Sequence, residues 1–404
     1  QAAEAQTSGG PAHGRPAGRP SSPGSMDLSR AYLHSLGPAE EAKLAELRAA
    51  LPEALAKARA QSEDVKAQDK LTLWRANLEV QDEAADVVLL KYLRAEELDV
   101  SKALSRITAT LVFRAECCIE DLKDAEMPAH FRGHDFVTGC DAEGRPIMIS
   151  RFGGMDIEKV FGDTEAFIRY RTKIMEQAIE LLTFKKGAAE DLFQIHDYSG
   201  VMTSMFNADV KNGVTSIGKV FGEHYPEFKG KTLFVNFPAV FSGPFKAMAA
   251  LLPERTRRKF VILGQDDHEA LFQHMSPELV PAVLGGLWSE GSKLSKLKTP
   301  AKVVIVKARD AAEEVLLRVD APAKIAWELC VCSAEVSYEV VFVPDGGEAC
   351  EVRKSRPGEY LKAEDGVACG EYSATAAGEV RIRLRNEAAW FKRRVCACRA
   401  GAVG

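Results

Sequence analysis

Three polar side chains at two places in the chain could act together on a ligand. Glu227 precedes a β-type run, TLFVNF, while Thr256 and Lys259 precede a second run, KFVIL. Thr256 and Lys259 are three residues apart, so one helical turn would present both on one side. The simpler alternative is a structural ion pair between Glu227 and Lys259. From the spacing alone that alternative is favoured, because most such pairs have no functional role.

The segment between the two runs is strongly apolar. Phe241, Phe245, Met248 and Leu252 recur at i, i+4, i+7 and i+11, with Leu251 beside them. Burying these five side chains is worth roughly 7–15 kcal/mol, so something must cover them. A packed core would suffice, but prolines and Gly243 interrupt the backbone where a hinge would be needed. The pattern predicts a mobile apolar lid formed by Phe241, Phe245, Met248, Leu251 and Leu252.

Common catalytic and cofactor signatures are missing from the chain. Gly230-Lys231-Thr232 suggests a P-loop, but the required earlier glycine is Tyr225, and the tripeptide leads into a strand instead of a helix. No G-x-G-x-x-G, H-E-x-x-H or G-x-S-x-G pattern occurs. The histidines have no nearby ligand cluster that would support a metal. We therefore predict no enzyme activity, no cofactor and no metal.

Composition indicates a cytosolic protein. Nine cysteines in 404 residues are too few for a disulfide scaffold, and residues 1–25 lack the apolar core of a signal peptide. The longest apolar run, from Phe234 to Leu252, contains prolines and a lysine and is a poor membrane span. Two C-x-C pairs, Cys330/Cys332 and Cys396/Cys398, could bind zinc, but buried packing is the better interpretation.

The elements that position these residues fall into several regions. Residues 38–118 are predicted to be helical, with Pro52 as a break and Ser101 as an N-cap. Strand and helix signals then alternate through PIMISRF, DLFQIHDY, KTLFVNF and KFVILG, which predicts an α/β layer with a largely parallel sheet. Short strand-like runs follow, typical of an antiparallel β-sandwich. The predicted regions are a disordered tail (1–25), a helical region (26–125), an α/β domain (126–288), a linker (289–300) and the β-sandwich (301–400).

The β-sandwich region carries a concentration of positive charge. Strict alternation from Val380 to Arg385 faces three arginines outward. Seven basic and two acidic residues lie between Glu379 and Arg399, in a chain whose net charge is −5. Either a solvated sheet face or a patch for anionic lipid head groups would explain this charge. The predicted membrane-contact patch comprises Arg381, Arg383, Arg385, Lys392, Arg393 and Arg394.

Several motifs resemble, in order, those of one family. LLKYLRAEELDVSKAL resembles the N-terminal signature of the CRAL-TRIO lipid-transfer proteins, usually written LLRFLRAR-x-F. DAEGRPIM, HDYSG, HYPE, VNFP and LVPAVLGG are similar to the family's later landmarks. The LTLWRANL opening and the C-terminal β domain resemble the patellin subgroup, which joins CRAL-TRIO to a GOLD domain. The resemblance spans about residues 70–400 and implies a multidomain fold with a helical bundle, an α/β lipid-binding domain and a GOLD-like sandwich.

The resemblance also implies a closed lipid cavity with a gate helix over it. The apolar segment from Phe237 to Leu252 matches that gate, so the predicted gate residues are Phe237, Phe241, Phe245, Met248, Leu251 and Leu252. Members that transfer phosphatidylinositol hold its head group with a glutamate, a threonine, a lysine and an arginine; Glu227, Thr256 and Lys259 match the first three. The arginine position is Glu96 here, which reverses the charge, and Arg94 is the expected compensation. The stretch DLFQIHD lacks the small hydroxyl residues that those members use for choline lipids, so phosphatidylcholine is not expected.

The predicted function is a cytosolic, peripherally membrane-associated lipid carrier. It would enclose one phospholipid, expected to be a phosphoinositide, and act in membrane trafficking or lipid signalling, with trafficking proteins as possible partners of the GOLD-like domain. A soluble carrier must enclose the acyl chains, because each exposed methylene costs about 0.8 kcal/mol. Two alternatives remain: a trafficking adaptor that exchanges no lipid, and a carrier of a neutral hydrophobic small molecule.

Overall fold

Helices and two sheet systems follow one another along the chain in the predicted order. The computed structural model describes residues 33–403 except 242, 244–249, 251–256, 258, 266 and 290. Within that part the helices are α1 (Pro38–Gln61), α2 (Glu63–Lys66), α3 (Glu83–Ala95), α4 (Val100–Glu116), α5 (Ile119–Leu122), α6 (Ile157–Phe161), α7 (Thr164–Ile179), α8 (Ala208–His224), α9 (His268–His274) and α10 (Lys293–Lys296). None of these helices is long and apolar enough to cross a membrane.

The N-terminal helices form a bundle around leucine-rich faces, with two local corrections to the sequence analysis. Helix α1 continues through Pro52 instead of breaking there, because Leu47, Leu51 and Leu55 stay buried on one face along its length. Helix α4 is capped by Asp99, whose side chain accepts from the backbone N–H of Lys102, so Ser101 lies inside the first turn. A short hairpin of β1 (Thr72–Leu73) and β2 (Ala76–Asn77) precedes α3.

The α/β domain is built on a five-stranded mixed sheet. Its strands, in spatial order, are β3 (Asp135–Cys140), β4 (Pro146–Arg151), β5 (Leu192–Asp197), β6 (Lys229–Val235) and β7 (Phe260–Ile262). The four predicted strands run parallel, and the additional β3 pairs antiparallel to β4 at one edge. Gly230, Lys231 and Thr232 lie within β6, so this tripeptide is no phosphate loop. Gly230 is required for packing, since a Cβ there would lie 2.4 Å from Asp191 Oδ1.

A buried carboxylate joins the bundle to the α/β domain. Glu176 of α7 accepts hydrogen bonds from Arg114 Nη1 at 2.6 Å, Tyr225 Oη at 2.6 Å and Trp74 Nε1 at 3.3 Å. These donors come from α4, from the end of α8 and from the hairpin turn, so one side chain fixes all three elements. Tyr225 is thereby held two residues before Glu227.

The C-terminal domain is the predicted antiparallel β-sandwich. Its strands are β8 (Lys302–Val306), β9 (Ala311–Val319), β10 (Ala323–Val331), β11 (Glu335–Pro344), β12 (Cys350–Lys354), β13 (Leu361–Lys362), β14 (Val367–Ala374), β15 (Gly378–Arg385) and β16 (Arg394–Ala402). One sheet has the order β14-β10-β16-β8 and the other β12-β11-β15-β9, with β13 paired to β11. Val380, Ile382 and Leu384 are buried, which confirms the alternation expected for β15.

The two C-x-C pairs face opposite sides of one sheet. Cys396 and Cys398 of β16 belong to the core between the two sheets, whereas Cys330 of β10 packs with Leu287 and Ala397 on the outer side. Burial raises the pKa of the Cys330 thiol to about 12. Four thiolates therefore do not converge, and no cluster of metal-binding side chains occurs among the described residues. Buried packing is the role that the geometry supports.

A buried ion pair on the outer side of this sheet holds the segment between the domains. Arg399, 1% exposed, lies 2.6 Å from Glu328 Oε2. The same guanidinium donates to the backbone carbonyls of Leu287 and Thr299, both at 3.1 Å, and to Ser295 Oγ at 2.8 Å. One arginine thus binds Leu287, Ser295 and Thr299 to the sandwich.

We expect Arg399→Met to destabilise the protein by roughly 3–5 kcal/mol, because it leaves the Glu328 carboxylate buried without its partner. Urea unfolding followed by tryptophan fluorescence measures this, with buried Trp327 as a local reporter. Arg318→Met is the matched control: Arg318 is exposed, and its ion pairs with Asp320, Asp345 and Glu379 should contribute about 0–1 kcal/mol. Equal unfolding curves for Arg399→Met and wild type would contradict the assigned role.

Candidate functional site

The structure brings Glu227 and Lys259 together at one edge of the parallel sheet. Glu227 lies just before β6 and Lys259 just before β7, and neighbouring parallel strands begin at the same edge. Lys259 Nζ is 3.9 Å from Glu227 Oε2 and donates to the backbone carbonyl of Lys229 at 3.1 Å. Their side chains are 21% and 27% exposed, so both remain accessible to a ligand. Thr256 lies outside the described residues.

A residue that the sequence analysis missed, Lys91 of α3, supports this edge from inside. Its buried ammonium donates to the backbone carbonyls of Glu190 and, at 3.2 Å, of Glu227. It also lies 4.3 Å from the ring centroid of Phe228. These contacts hold Glu227 in a left-handed backbone conformation, φ 54°, which is uncommon for a residue other than glycine. The signal in the sequence was a lone lysine inside the apolar run LLKYL.

Burial sets the protonation behaviour of Lys91. Desolvation lowers the pKa of Lys91 to about 8, although the nearby Glu190, Asp191 and Glu227 carboxylates oppose that shift. The pKa of Glu190 is raised for the same reason, burial. At neutral pH the ammonium form therefore persists, and its N–H groups remain available to the two carbonyls.

Arg94, the expected compensation for Glu96, is engaged elsewhere. Its Nε donates to Glu40 Oε1 of α1 at 3.1 Å, and its side chain is only 8% exposed. Its Nη2 makes no hydrogen bond within the described part of the chain. A role for Arg94 in head-group binding remains a prediction.

Glu96 has a structural role that accounts for a carboxylate at this position. It lies 2.6 Å from Arg106 of α4. Arg106 in turn donates to the carbonyl of Glu223, at 2.8 Å, and to that of Gly222, both at the C-terminal end of α8. A cation suits a helix C-terminus, where carbonyls are unpaired. Glu96 thus positions Arg106, which caps the C-terminal end of α8, the helix that precedes Glu227.

One face of the sheet carries a continuous series of aromatic rings toward its carboxyl edge. His196 of β5 lies 5.5 Å from Phe152 and 5.6 Å from Phe234 between ring centroids, on neighbouring strands. The series continues from Phe234 to Phe260 at 5.6 Å and from Tyr198 to Phe237 at 5.1 Å. Burial lowers the pKa of His196 to about 3, so its ring is neutral. The rings of this series are therefore uncharged at neutral pH.

The predicted gate begins on this aromatic face. Phe237 is buried against Tyr198, and Phe241 lies 6.4 Å from Phe237 and 5.0 Å from Phe206 between ring centroids. Near this point Met202, Phe206 and Val240 are exposed. The other predicted gate residues, Phe245, Met248, Leu251 and Leu252, lie outside the described residues. The gate assignment remains a prediction.

The predicted basic patch divides into two structural groups. On β15, Arg381 and Arg383 pair with Glu313, at 3.0 and 2.5 Å, while Arg385 lies 3.9 Å from Glu339. Arg394 is buried, and its Nε donates to the carbonyl of Glu335. Lys392 and Arg393 belong to the loop before β16, and Arg393 pairs with Glu269 of α9 at 2.7 Å. Membrane contact by this patch remains a prediction.

We expect Lys91→Met to remove a specific pH dependence of stability. Between about pH 8 and the ordinary lysine pKa of 10.5, the unfolded chain holds a proton that the folded protein has lost, so wild-type stability gains with rising pH. The difference in unfolding free energy between wild type and Lys91→Met should change by up to about 1.4 kcal/mol per pH unit in that window.

Urea unfolding at about pH 7 and about pH 9.5 measures this difference. Lys102→Met, which removes an exposed lysine on α4, is the matched control and should follow the wild-type pH dependence. The burial of a charged Lys91 would be contradicted if Lys91→Met and wild type changed in parallel.

Two sequence families match consecutive parts of the chain. The CRAL/TRIO domain matches residues 130–286, and the CRAL/TRIO N-terminal domain matches residues 43–109. These ranges contain the parallel sheet and most of the helical bundle. The two sheets of the C-terminal sandwich are consistent with a GOLD domain.

Individual proteins extend the likeness. Patellin-6 of Arabidopsis thaliana is 26% identical over 367 residues, which cover 88% of this chain and 85% of that protein. Phosphatidylinositol transfer protein sfh5 of Aspergillus clavatus is 32% identical over 204 residues, or 46% of this chain and 47% of that protein. The crystal structure of Sfh5, 23% identical, covers 59% of this chain and 84% of its own with a TM-score of 0.52, and supports the fold. The chain therefore belongs to the CRAL-TRIO lipid-binding family, with patellin homologues over most of its length.

Proposed function

We propose that this protein encloses a single lipid against the aromatic face of its parallel sheet and transfers it between membranes. The observation that carries the proposal is the run of rings from Phe152 to Phe241, which leads into the apolar segment ending at Leu252. Burying apolar surface is the dominant gain when a lipid leaves water. A face of neutral rings offers that gain without desolvating a charge.

The dimensions of the sheet suit an acyl chain. The seven residues of β6 span about 20 Å, and half of a bilayer's hydrocarbon core is about 15 Å thick. Glu227 and Lys259 lie at the amino edge of this strand and Phe237 follows its carboxyl edge. A lipid lying along the strand would place its head group near the first pair and its tails near Phe237.

A phosphoinositide is the proposed ligand. Lys259 supplies a cation for a phosphate, and Glu227 supplies acceptors for hydroxyl groups of the head group. Thr256 and Arg94 complete the predicted set. The name of the Aspergillus relative, phosphatidylinositol transfer protein, supports this ligand class.

The proposed cellular role is that of a lipid carrier that performs no covalent chemistry. The CRAL-TRIO family binds or transfers lipids and is generally non-enzymatic. We propose a cytoplasmic protein that is not an enzyme, associates peripherally with membranes and acts in trafficking or lipid signalling. Trafficking proteins are the proposed partners of the GOLD-like domain.

A neutral hydrophobic small molecule is the second candidate ligand. Glu96 replaces the family's head-group arginine, and its partner Arg106 is occupied by the carbonyls of Gly222 and Glu223. The stacked rings at Phe152, His196 and Phe234 would also suit a planar apolar molecule. Extraction of the protein purified from cells, followed by mass spectrometry of the bound molecule, separates the two candidates.

We expect Lys259→Ala to weaken phosphoinositide binding by roughly 10- to 100-fold, the usual effect of removing a hydrogen bond to a charged group. The fold should be little affected, because the partly exposed Lys259–Glu227 pair is worth about 0–1 kcal/mol. Binding and transfer between vesicles of phosphatidylcholine with and without phosphatidylinositol provide the measurement.

Lys211→Ala, on the exposed side of α8, is the matched control and should transfer lipid as wild type does. Unchanged phosphoinositide binding by Lys259→Ala would show that the anchor assignment is wrong. No lipid bound in cells and no uptake from vesicles would instead overturn the carrier function as a whole.

A further inference from the structure

Two large aromatic side chains stand exposed on one loop of the C-terminal sandwich. Trp390 is 71% and Phe391 95% exposed, in the connection between β15 and β16. Scattered exposed apolar residues are common on protein surfaces, but two adjacent aromatic rings at this exposure form a marked apolar projection. Neither ring takes part in the sandwich core or in the lipid site described above.

The loop that carries the rings is held in place at its base. The side-chain amide of Asn386, 1% exposed, donates to the carbonyls of Val306, Lys307 and Lys392 at 3.3, 3.2 and 2.9 Å. At the other end, Arg394 donates to the carbonyl of Glu335. The exposed rings are therefore presented by an anchored loop.

A cation supports the tryptophan ring directly. The Arg309 guanidinium lies 3.8 Å from the Trp390 ring centroid and donates to the Glu387 carbonyl at 3.0 Å. Cation–π contact of this kind keeps the ring oriented while its other face stays exposed. Positive charge and apolar surface thus occur side by side.

Beside Phe391 lies a cleft of about 570 Å³. Its lining contains several cations and no carboxylate, and consists of Lys307, Ala308, Ser333, Ala334, Phe391, Lys392, Arg393 and Arg394. Glu269 lies outside the lining and pairs with Arg393 at 2.7 Å. The cleft suits an anionic group.

We propose that this loop and cleft, residues Lys307, Arg309 and Trp390–Arg393, dock the C-terminal domain on an anionic membrane surface. Trp390 and Phe391 enter the interfacial layer, where aromatic side chains are favoured. Lys307, Lys392 and Arg393 bind lipid phosphates in the cleft, adding the attraction of basic groups for an anionic leaflet. A projecting apolar tip ringed by cations fits a bilayer interface better than a flat protein surface.

This docking surface is independent of the lipid cargo. It shares with the proposed function only the assumption that the protein works at a membrane. It also differs from the β15 arginines of the predicted basic patch, because Arg381 and Arg383 already pair with Glu313 whereas Lys392 lines the open cleft.

The Arg393–Glu269 pair connects the loop to the α/β domain. Glu269 lies in the first turn of α9, which follows β7 and the predicted gate in the chain. A lipid phosphate in the cleft would compete with the Glu269 carboxylate for Arg393. Removing the Glu269 carboxylate should therefore strengthen membrane binding, so the proposal predicts a variant that binds more tightly than wild type.

The test is flotation of the full chain with vesicles of phosphatidylcholine, alone and with added phosphatidylserine. We expect wild type to bind the anionic vesicles in a salt-sensitive manner. The double variants Trp390→Ala/Phe391→Ala and Lys392→Ala/Arg393→Ala should each bind roughly 10-fold more weakly or worse, and Glu269→Gln more tightly. Tryptophan emission should shift to the blue on binding in wild type and lose that shift in Trp390→Phe.

Two matched controls remove the same kind of group elsewhere. Lys324→Ala/Lys354→Ala removes two exposed cations from β10 and β12 of the sandwich, and Val80→Ala/Leu181→Ala removes two exposed apolar side chains from the other domains. Both should bind anionic vesicles as wild type does. The proposal is overturned if wild type does not bind anionic vesicles, if the Trp390/Phe391 variant binds normally, or if the Lys324/Lys354 control loses as much binding as the loop variant.

Cargo measurements keep this test separate from the proposed function. Native mass spectrometry of Trp390→Ala/Phe391→Ala should show the same bound lipid as wild type, with reduced vesicle binding. Loss of cargo in Lys259→Ala with intact vesicle flotation would be the converse result. Failure of either proposal is therefore visible without the other.

Discussion

The ammonium group of Lys91 is buried where the helical bundle meets the starts of two parallel strands. It binds the carbonyl of Glu190, before β5, and that of Glu227, before β6. Desolvating a charge is costly, and the cost is offset only when its hydrogen bonds are made. Lys91 therefore constrains the starts of both strands. It also fixes the position of the accessible Glu227 carboxylate, although Lys91 itself need not contact a ligand.

A second buried network extends this constraint to the neighbouring helices. Glu176 binds Arg114, Tyr225 and Trp74, while Glu96 directs Arg106 onto the end of α8. Both carboxylates act through arginines of α4. The helical bundle thus determines where the segment from Tyr225 to Glu227 lies. The negative charge at Glu96 supports α8, because Glu96 positions Arg106 against the carbonyls at the end of that helix.

The C-terminal domain is joined to the rest by polar contacts that leave the linker little freedom. Arg399 binds Glu328 and the carbonyls of Leu287 and Thr299 on the outer side of the sandwich, and Arg393 binds Glu269 of α9. The Arg393–Glu269 pair thereby joins the loop at Trp390 to the α/β domain. The structure distinguishes this loop from the arginines of β15, whose charge is largely balanced by glutamates across the sheet.

Much of the architecture followed from local patterns in the sequence. Strand periodicity identified β4 to β7 and the inward-facing residues of β15, because alternate side chains of a strand face opposite sides. Motif order identified the family. Two local predictions were wrong because contacts with other residues outweighed a local preference. Burial of its leucine face keeps α1 continuous through Pro52, and Asp99 caps α4 in place of Ser101.

By itself the sequence determined the domain types and the candidate residues Glu227 and Lys259. Only the tertiary structure decided that these two meet, that Arg94 is held by Glu40 and that the cysteine pairs face apart. It also decided that Lys91 is buried against two backbone carbonyls and that Trp390 is exposed. Contacts between residues far apart in the chain leave no periodic signal, so their effect is visible only once the strands and helices are packed.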